Sequence, residues 1–309
     1  MPVPPALARG LKAPIIASPM FLASGPDLVV ETCRSGVIGT FPALNQRTTE
    51  GYVAWLEEIR ARLDGLDAAA FGVNLIVHRT NARLEADLKA TVAHKVPLVI
   101  TSLGAVREVV DAVHSYGGLV FHDVISRRHA EKAAEAGVDG IIAVCAGAGG
   151  HAGALSPFAL VPEIREVFAG PIILSGAMST GAHVAAARAL GADFAYLGTR
   201  FLATNEALCQ PDHKSMIVDA EAKDILYTPA ISGVNANFLV PSILRNGLDP
   251  QNLPAHATLD MASEAKVWRD VWSAGQGVGS IHDILPAAEL CARLIAEYRA
   301  ACAALGAEA

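Results

Sequence analysis

The stretch Pro171–Arg200, "PIILSGAMSTGAHVAAARALGADFAYLGTR", contains two strand patterns separated by one helix pattern. Its apolar runs Pro171–Gly176 and Phe194–Gly198 flank the helix-like Ala182–Leu190, and Gly191 stands where that helix should end. Continuous apolar runs are typical of strands that are covered on both faces of a parallel sheet. The stretch therefore predicts a strand–helix–strand unit of an α/β fold.

The same alternation continues toward the N-terminus. Further apolar runs of strand length are Ile15–Met20, Val37–Leu44, Phe71–Val77, Leu98–Leu103, Leu119–Ile125 and Gly140–Cys145. Helix patterns lie between them, among them Val53–Leu63, Val106–Tyr116 and His129–Ala136. Eight such alternations match a (β/α)8 TIM barrel, with a doubly wound open sheet as the alternative.

The alternation stops after Thr204. The segment 205–266 has helical pieces around a Pro- and Asn-containing middle, Thr228–Leu253, and the helix-like Ala287–Ala304 closes the chain. We therefore expect a barrel built from residues 1–204 and 267–309. We expect residues 205–266 to form a small, mostly helical insertion after the eighth strand, a lid that covers the barrel mouth and contributes to the substrate site.

Composition restricts the possible partners. The chain has 309 residues, 52% of them hydrophobic, and a formal net charge of −7, which argues against nucleic acid and anionic membranes. The sequence has no apolar run of membrane-span length and no N-terminal signal pattern. The five scattered cysteines lack CxxC spacing, and HxH or HExxH patterns are absent, so we expect free thiols in a cytoplasmic protein without a metal site.

The strand ends contain the candidate site, because barrels carry their chemistry there. The last two strands end in Ser175-Gly176-Ala177 and Gly198-Thr199, and earlier ones in Met20, Asn74, Ser102 and His122. Small and hydroxyl residues with accessible backbone N–H groups can bind a phosphate, although they could also simply close a crowded turn. Their presence at both final strand ends, which phosphate-binding barrels use together, favours phosphate.

One histidine lies in a loop of small residues after the sixth strand. Cys145–Gly153 reads "CAGAGGHAG", with His151 among four glycines. Glycines let the backbone pass close to a bound group, which makes His151 the candidate reactive side chain. The alternative is a structural histidine that is satisfied by backbone groups. Cys145 has no basic neighbour in sequence to lower its pKa, so we assign it to packing.

Several of these motifs together resemble the nitronate monooxygenase family, also called 2-nitropropane dioxygenases. The resemblance rests on "FGVNL" (Phe71–Leu75), "GGHAG" (Gly149–Gly153), the stretch Pro171–Thr204 followed by Glu206, and "WSAGQGVG" (Trp272–Gly279). Flavin-dependent enoyl-acyl-carrier-protein reductases and some NADH:quinone reductases belong to the same superfamily.

The resemblance implies an FMN-binding barrel in which His151 is the catalytic residue. The positions that it implies for the cofactor are Pro19, Met20, Phe21, Asn74, His122, Gly149, Ser175, Gly176, Ala177, Gly198 and Thr199. His122 either contacts the flavin phosphate or pairs with Asp123, and Arg200 is assigned to bracing neighbouring loops. The chain departs from relatives at Ser18-Pro19, where they often carry a glycine pair, and at His122 and Val144, where some carry a lysine and an acid. These departures leave the substrate open.

The reaction that the resemblance implies is the oxidation of alkyl nitronates, and of nitroalkanes, by dioxygen to a carbonyl compound and nitrite. His151 would take the α-proton of a nitroalkane or hydrogen-bond the nitro oxygens of a nitronate, and an imidazole suits both roles. The first alternative is a reductase that uses NADH or NADPH to reduce a quinone or an enoyl thioester. The second is a non-redox, phosphate-binding isomerase or lyase.

Overall fold

Eight parallel strands close into a barrel in the computed structural model, which describes residues 3–104, 107–253 and 268–307. The barrel strands are β1 (Ile15–Ala17), β2 (Ile38–Pro42), β3 (Phe71–Ile76), β4 (Leu98–Ser102), β5 (Leu119–Val124), β6 (Gly140–Val144), β8 (Ile172–Ser175) and β9 (Phe194–Leu197). β1 pairs with β2 on one side and with β9 on the other, which closes the ring. The TIM barrel prediction is confirmed, and the open sheet is wrong.

Helices follow the strands in the expected alternation. They span Pro5–Ala8, Pro26–Ser35, Thr49–Leu63, Leu84–Ala93, Arg107–His114, Arg127–Ala136, Pro157–Val167, Gly181–Ala189, Thr199–Leu202, Pro211–Asp219, Val240–Arg245 and Ala287–Ala307, with 3-10 turns at Ala43–Asn45, Ala222–Asp224 and Gln276–Ser280. Hydroxyl caps begin several of them; Thr180, for example, accepts a hydrogen bond from the backbone of His183. Gly137 ends another with φ of 88°. Val106, the expected start of one helix, lies outside the described residues.

The barrel interior is a packed apolar core beneath the site. Consecutive residues alternate between two clusters: Ile172 packs between the sheet and the helices, and Ile173 packs inside the barrel. Phe121, Ile142 and Phe194 from other strands join the interior cluster and are fully buried. Burial on both faces explains why the strand runs are continuously apolar.

The segment after the eighth strand differs from the prediction in one respect. It contains the expected helices Pro211–Asp219 and Val240–Arg245, and also two antiparallel strands, β10 (Ile225–Thr228) and β11 (Ala236–Leu239). β11 also pairs with a third short strand, β7 (Gly150–His151), from the loop after β6. Strands of four residues or fewer give little sequence pattern, and their pairing depends on distant chain. Residues 254–266 of the predicted insertion lie outside the described residues.

Within the described parts of the chain, no helix has the length and apolar character that crossing a membrane requires.

Candidate active site

A cavity of about 1380 Å³ opens at the carboxyl ends of the barrel strands. It is lined by every residue that the sequence analysis assigned to the site: Pro19, Met20, Phe21, Asn74, His122, Gly149, His151, Ser175, Gly176, Ala177, Gly198 and Thr199. Side chains from the segment after the eighth strand, such as Leu208 and His213, line it as well. The structure thus brings the predicted residues together, while their individual roles stay predictions.

The loop after β1 is held in place by one asparagine. Asn45 donates from Nδ2 to the carbonyl oxygens of Met20 (3.0 Å) and Ser24 (2.8 Å). Its Oδ1 accepts a hydrogen bond from the backbone N–H of Leu22 at 2.8 Å, and Leu22 has a left-handed φ of 59°. The Met20 N–H in turn donates to Ser24 Oγ at 2.9 Å. This network fixes the Pro19–Phe21 edge of the cavity.

The loops after β8 and β9 meet a third loop that the sequence analysis matched but did not place in the site. The N–H of Gly275 donates to Thr199 Oγ1 at 2.8 Å, and Ser179 Oγ donates to the carbonyl of Gly277 at 2.8 Å. A Cβ on Gly198 would stand 2.7 Å from Ser18 Oγ, so a larger residue here would have to displace the Ser18 side chain. The glycines of Trp272–Gly279 could have indicated from the sequence that this loop approaches the site.

This end of the cavity fits an FMN phosphate. Its lining includes glycine, alanine and hydroxyl residues together with Met178, and Gly176 has a φ of 144° that L side chains rarely adopt. Among the described residues that line the cavity, Asp123 is the sole carboxylate, and it extends from β5 rather than from the β8 and β9 loops. Small residues without negative charge leave space and backbone N–H groups for a dianion.

The His151 loop is tied to the segment after the eighth strand by backbone hydrogen bonds. In β7, His151 pairs with Ala236 of β11, and the Gly150 N–H donates to Ser273 Oγ at 2.7 Å. The carbonyl of the next residue, Ala152, accepts a hydrogen bond from the Tyr227 hydroxyl at 3.0 Å. The imidazole meets the Trp268 ring edge-on at 5.4 Å between centroids. His151 is therefore held by strand pairing and not by a loose glycine loop.

A side chain at position 149 would collide with a neighbouring loop, which explains the glycine there. A Cβ there would stand 2.9 Å from the backbone nitrogen of Gly275 and 3.1 Å from Thr199 Oγ1. The resemblance implies Gly149 as a cofactor position, and the close approach of the neighbouring loop is a second reason for glycine there.

A polar chain that the sequence analysis did not predict crosses the top of the barrel. Asn74 Nδ2 donates to Ser102 Oγ at 2.8 Å, and Ser102 Oγ donates to Asp123 Oδ2 at 2.5 Å. Asp123 Oδ1 is buried and receives no hydrogen bond from the described residues. Burial raises the pKa of Asp123 to about 6, against the opposing effects of the Ser102 hydrogen bond and the charge of His151.

The side chain of His122 points away from the hydrogen-bonded network of Asn74, Ser102 and Asp123. Its Nδ1 lies 2.8 Å from Thr101 Oγ1, and burial lowers its pKa to about 4, which leaves the ring neutral near pH 7. The alternative in which His122 pairs with Asp123 is wrong, because consecutive strand residues point to opposite faces. Contact with a phosphate stays a prediction, and a neutral ring would make it as a hydrogen bond without charge.

Two further assignments agree with the structure. Arg200 is buried and donates to the carbonyl oxygen (3.1 Å) and to Oδ1 (2.7 Å) of Asp283, so it braces neighbouring loops. Cys145 is buried, and burial raises the pKa of its thiol to about 12, as expected for a packing residue. Over the residues that the structure describes, no cluster of three or more His, Cys, Asp or Glu could hold a metal ion.

The chain is similar to several known proteins. The family model described as nitronate monooxygenase matches residues 7–297. A nitronate monooxygenase of Paraburkholderia phytofirmans is 29% identical, over 94% of this chain and 93% of its own length. A (3aS,4S,5R,7aS)-5-hydroxy-7a-methyl-1-oxo-octahydro-1H-indene-4-carboxyl-CoA dehydrogenase of Rhodococcus jostii is 26% identical, over 73% of this chain and 62% of its own. The solved structure of a nitroalkane oxidase from Streptomyces ansochromogenes superposes with a TM-score of 0.85 at 26% identity, over 97% and 99% of the two chains.

Proposed function

Because the chain belongs to the nitronate monooxygenase family, whose members are flavin-dependent oxidoreductases of nitro compounds, we propose that it is an FMN-dependent enzyme that oxidises alkyl nitronates and nitroalkanes. The products are a carbonyl compound and nitrite, and dioxygen is the oxidant. The observation that supports this most is the cavity itself. It joins a small-residue, hydroxyl-lined end after β8 and β9 to an imidazole, His151, that is held by strand pairing.

The residues divide into two groups by their chemistry. Ser175, Gly176 and Thr199, with their backbone N–H groups, would hold the FMN phosphate, and Met20 and Asn74 would contact the ring system. Bound FMN supplies the electron acceptor for the substrate and the electron donor for dioxygen.

Apolar and aromatic side chains, among them Phe21, Leu22 and Trp272, contribute to the cavity lining. Trp268 packs against the edge of the imidazole and restricts its orientation, so His151 presents a fixed polar group to the nitro oxygens or to the α-proton. A preorganised donor at this position stabilises charge that develops on the nitro group.

The test is anaerobic stopped-flow mixing of the purified protein with ethylnitronate, nitroethane and propionate 3-nitronate in separate runs. We expect the nitro compounds to bleach the flavin rapidly, with nitrite and aldehyde formed once oxygen is admitted. A yellow protein whose flavin is not reduced by any of the three would contradict the proposal.

A second candidate, a reductase or dehydrogenase of a bulkier thioester, is favoured by the positive charge of the cavity lining. Arg47, Lys132 and Arg269 add positive charge to its lining, and the Rhodococcus jostii relative is named for a CoA ester. Mixing with NADH and NADPH separates this candidate: fast bleaching by either, with none by nitro compounds, would establish it. Because the family is one of oxidoreductases, we do not retain the isomerase or lyase alternative.

A further inference from the structure

We infer that the mouth of the cavity selects substrates by their negative charge, and that Lys132, supported by Arg47, is the specificity-determining residue for this selection. The inference rests on the proposed function and deepens it by ranking the substrates. A nitronate that carries a second anionic group at the far end of its carbon chain should be preferred to a simple alkyl nitronate, and an uncharged nitroalkane should come last.

Lys132 and Arg47 are cations that line the cavity without a carboxylate partner. Lys132 lies on the helix Arg127–Ala136 that follows β5, and Arg47 lies in the loop between β2 and the next helix. Both residues are exposed, and neither makes an ion pair with a described residue. Glu131, the carboxylate next to Lys132 in sequence, is already paired with Arg127 Nε at 3.2 Å. The two charges are therefore available to a ligand.

A histidine extends this basic surface along the same helix. His129 precedes Lys132 by three residues and also lines the cavity. Residues three apart on a helix share one face. Burial lowers the pKa of His122, and the charge of His129 lowers it further, so His129 lies near the end of β5. The face of the helix that meets the cavity is therefore basic.

The sign of charge in the cavity is opposite to that of the whole protein. The chain has a formal net charge of −7, yet Asp123 is the sole carboxylate among the described residues that line the cavity. Its Oδ2 accepts the Ser102 hydrogen bond, and its Oδ1 is buried. Arg269, the other cation of the lining, is paired with Asp270 at 2.9 Å. A cleft with such a lining raises the local concentration of anions.

The two unpaired cations do not follow the strands that are proposed to hold the FMN phosphate. That end of the cavity lies after β8 and β9, whereas Lys132 follows β5 and Arg47 follows β2. In the closed ring, β6 stands between β5 and β8, and β1 stands between β2 and β9. The positions of Lys132 and Arg47 in the ring thus suit contact with an entering substrate better than contact with the cofactor phosphate.

An exposed charge at an open mouth acts over a distance and not through one fixed contact. A unit charge about 4 Å from an opposite charge in water changes an equilibrium by a factor of about five, and the effect falls with distance. The interaction energy is proportional to the charge of the substrate, so a doubly charged nitronate should gain about the square of the factor that a singly charged one gains. Dissolved salt screens this attraction.

The experiment measures kcat/KM for nitroethane, ethylnitronate and propionate 3-nitronate, which are neutral, singly charged and doubly charged near pH 7. In Lys132→Gln at low ionic strength, the loss should be smallest for nitroethane, about threefold for ethylnitronate and about tenfold for propionate 3-nitronate. Lys132→Arg should keep the wild-type ranking, because it keeps the charge. Added salt should reduce the differences between wild type and Lys132→Gln. Arg47→Gln should give the same order of losses.

Lys89→Gln is the matched control. It lowers the net charge of the protein by the same amount, but Lys89 lies on the helix Leu84–Ala93 and does not line the cavity. Its losses should not rise with the charge of the substrate. Losses in Lys132→Gln that are equal for all three substrates, or that Lys89→Gln reproduces, would overturn the inference and leave the proposed function standing.

Two further outcomes are decisive. Reduced flavin retention in Lys132→Gln, with an unchanged ranking of the substrates, would assign this lysine to the cofactor and overturn the inference. A wild type that oxidises none of the three compounds would refute the proposed function and this inference with it.

Discussion

Replacing Asp123 with asparagine should stabilise the folded protein at alkaline pH. The folded state raises the pKa of this carboxyl from 3.8 to about 6, chiefly through burial. A shift of roughly two pKa units corresponds to about 3 kcal/mol of unfolding free energy that the charged carboxylate costs the native state. Asparagine is nearly the same size, carries no charge and can still accept the Ser102 hydrogen bond. The expected gain at about pH 8 is therefore positive and at most about 3 kcal/mol.

The pH dependence of this gain follows from the direction of the shift. Between the unfolded pKa of 3.8 and the folded pKa of about 6, the native state binds more protons than the unfolded state. The wild type therefore loses stability relative to Asp123→Asn as the pH rises through this window, and the difference stays constant above it. At about pH 5, the difference in unfolding free energy between Asp123→Asn and the wild type should be about half of its value at alkaline pH.

The assay is urea unfolding of wild type and Asp123→Asn at about pH 5 and about pH 8, in preparations with equal flavin content. Asp283→Asn serves as a control of opposite sign. Although burial alone would raise it, the pKa of Asp283 is lowered by the Arg293 hydrogen bond and by the charges of Arg200 and Arg293. That variant should lose stability above the unfolded pKa. An Asp123→Asn variant that is less stable than the wild type at both pH values would refute the reasoning about burial.

Three further predictions concern the cofactor and the imidazole. Mass spectrometry of the released cofactor should find FMN, and finding FAD would contradict the phosphate placement after β8 and β9. Gly176→Asp should retain less flavin than Gly176→Asn, since both introduce the same backbone strain and only the first adds a negative charge; equal retention would remove this loop from the phosphate site. His151→Asn should lower kcat/KM on nitroethane and ethylnitronate alike, by roughly 10²-fold, as for the loss of one preorganised donor. A loss confined to nitroethane would instead make His151 the general base that takes the α-proton.

The barrel was predictable because its strands are buried on both faces. Runs such as Gly140–Cys145 and Pro171–Gly176 are apolar throughout, and the observed strands differ from them by only one or two residues at the ends. The run Val37–Leu44 was too long at both ends: the strand occupies Ile38–Pro42, and its last apolar residues continue into the 3-10 turn Ala43–Asn45. Composition alone cannot distinguish the end of the strand from the start of the 3-10 turn, because apolar residues pack into the protein in both conformations.

The site was predictable where it depends on backbone space and not where it depends on distant contacts. Glycines and hydroxyls at the ends of β8 and β9 marked the cavity, and the structure places them there. The hydrogen-bonded network of Asp123 could not be predicted, because the burial of its carboxylate and its link through Ser102 depend on neighbouring strands. β7 was missed because the two residues Gly150 and His151 carry no alternating pattern, and their partner lies far along the chain.

The pairing of β7 with β11 has a consequence for enzyme engineering. The segment after the eighth strand lines the cavity, so exchanging it with that of a relative is one way to alter the pocket. Here Ala236 and Asn237 of that segment form the ladder with His151 and Gly150, and Asn237 Nδ2 also donates to the Ala148 carbonyl at 2.6 Å. A chimera that exchanges this segment would change the strand that pairs with His151 as well as the residues that line the pocket. Under the proposed function, the walls of the pocket and the position of His151 would change together, so a graft has to preserve the register of β11 with β7.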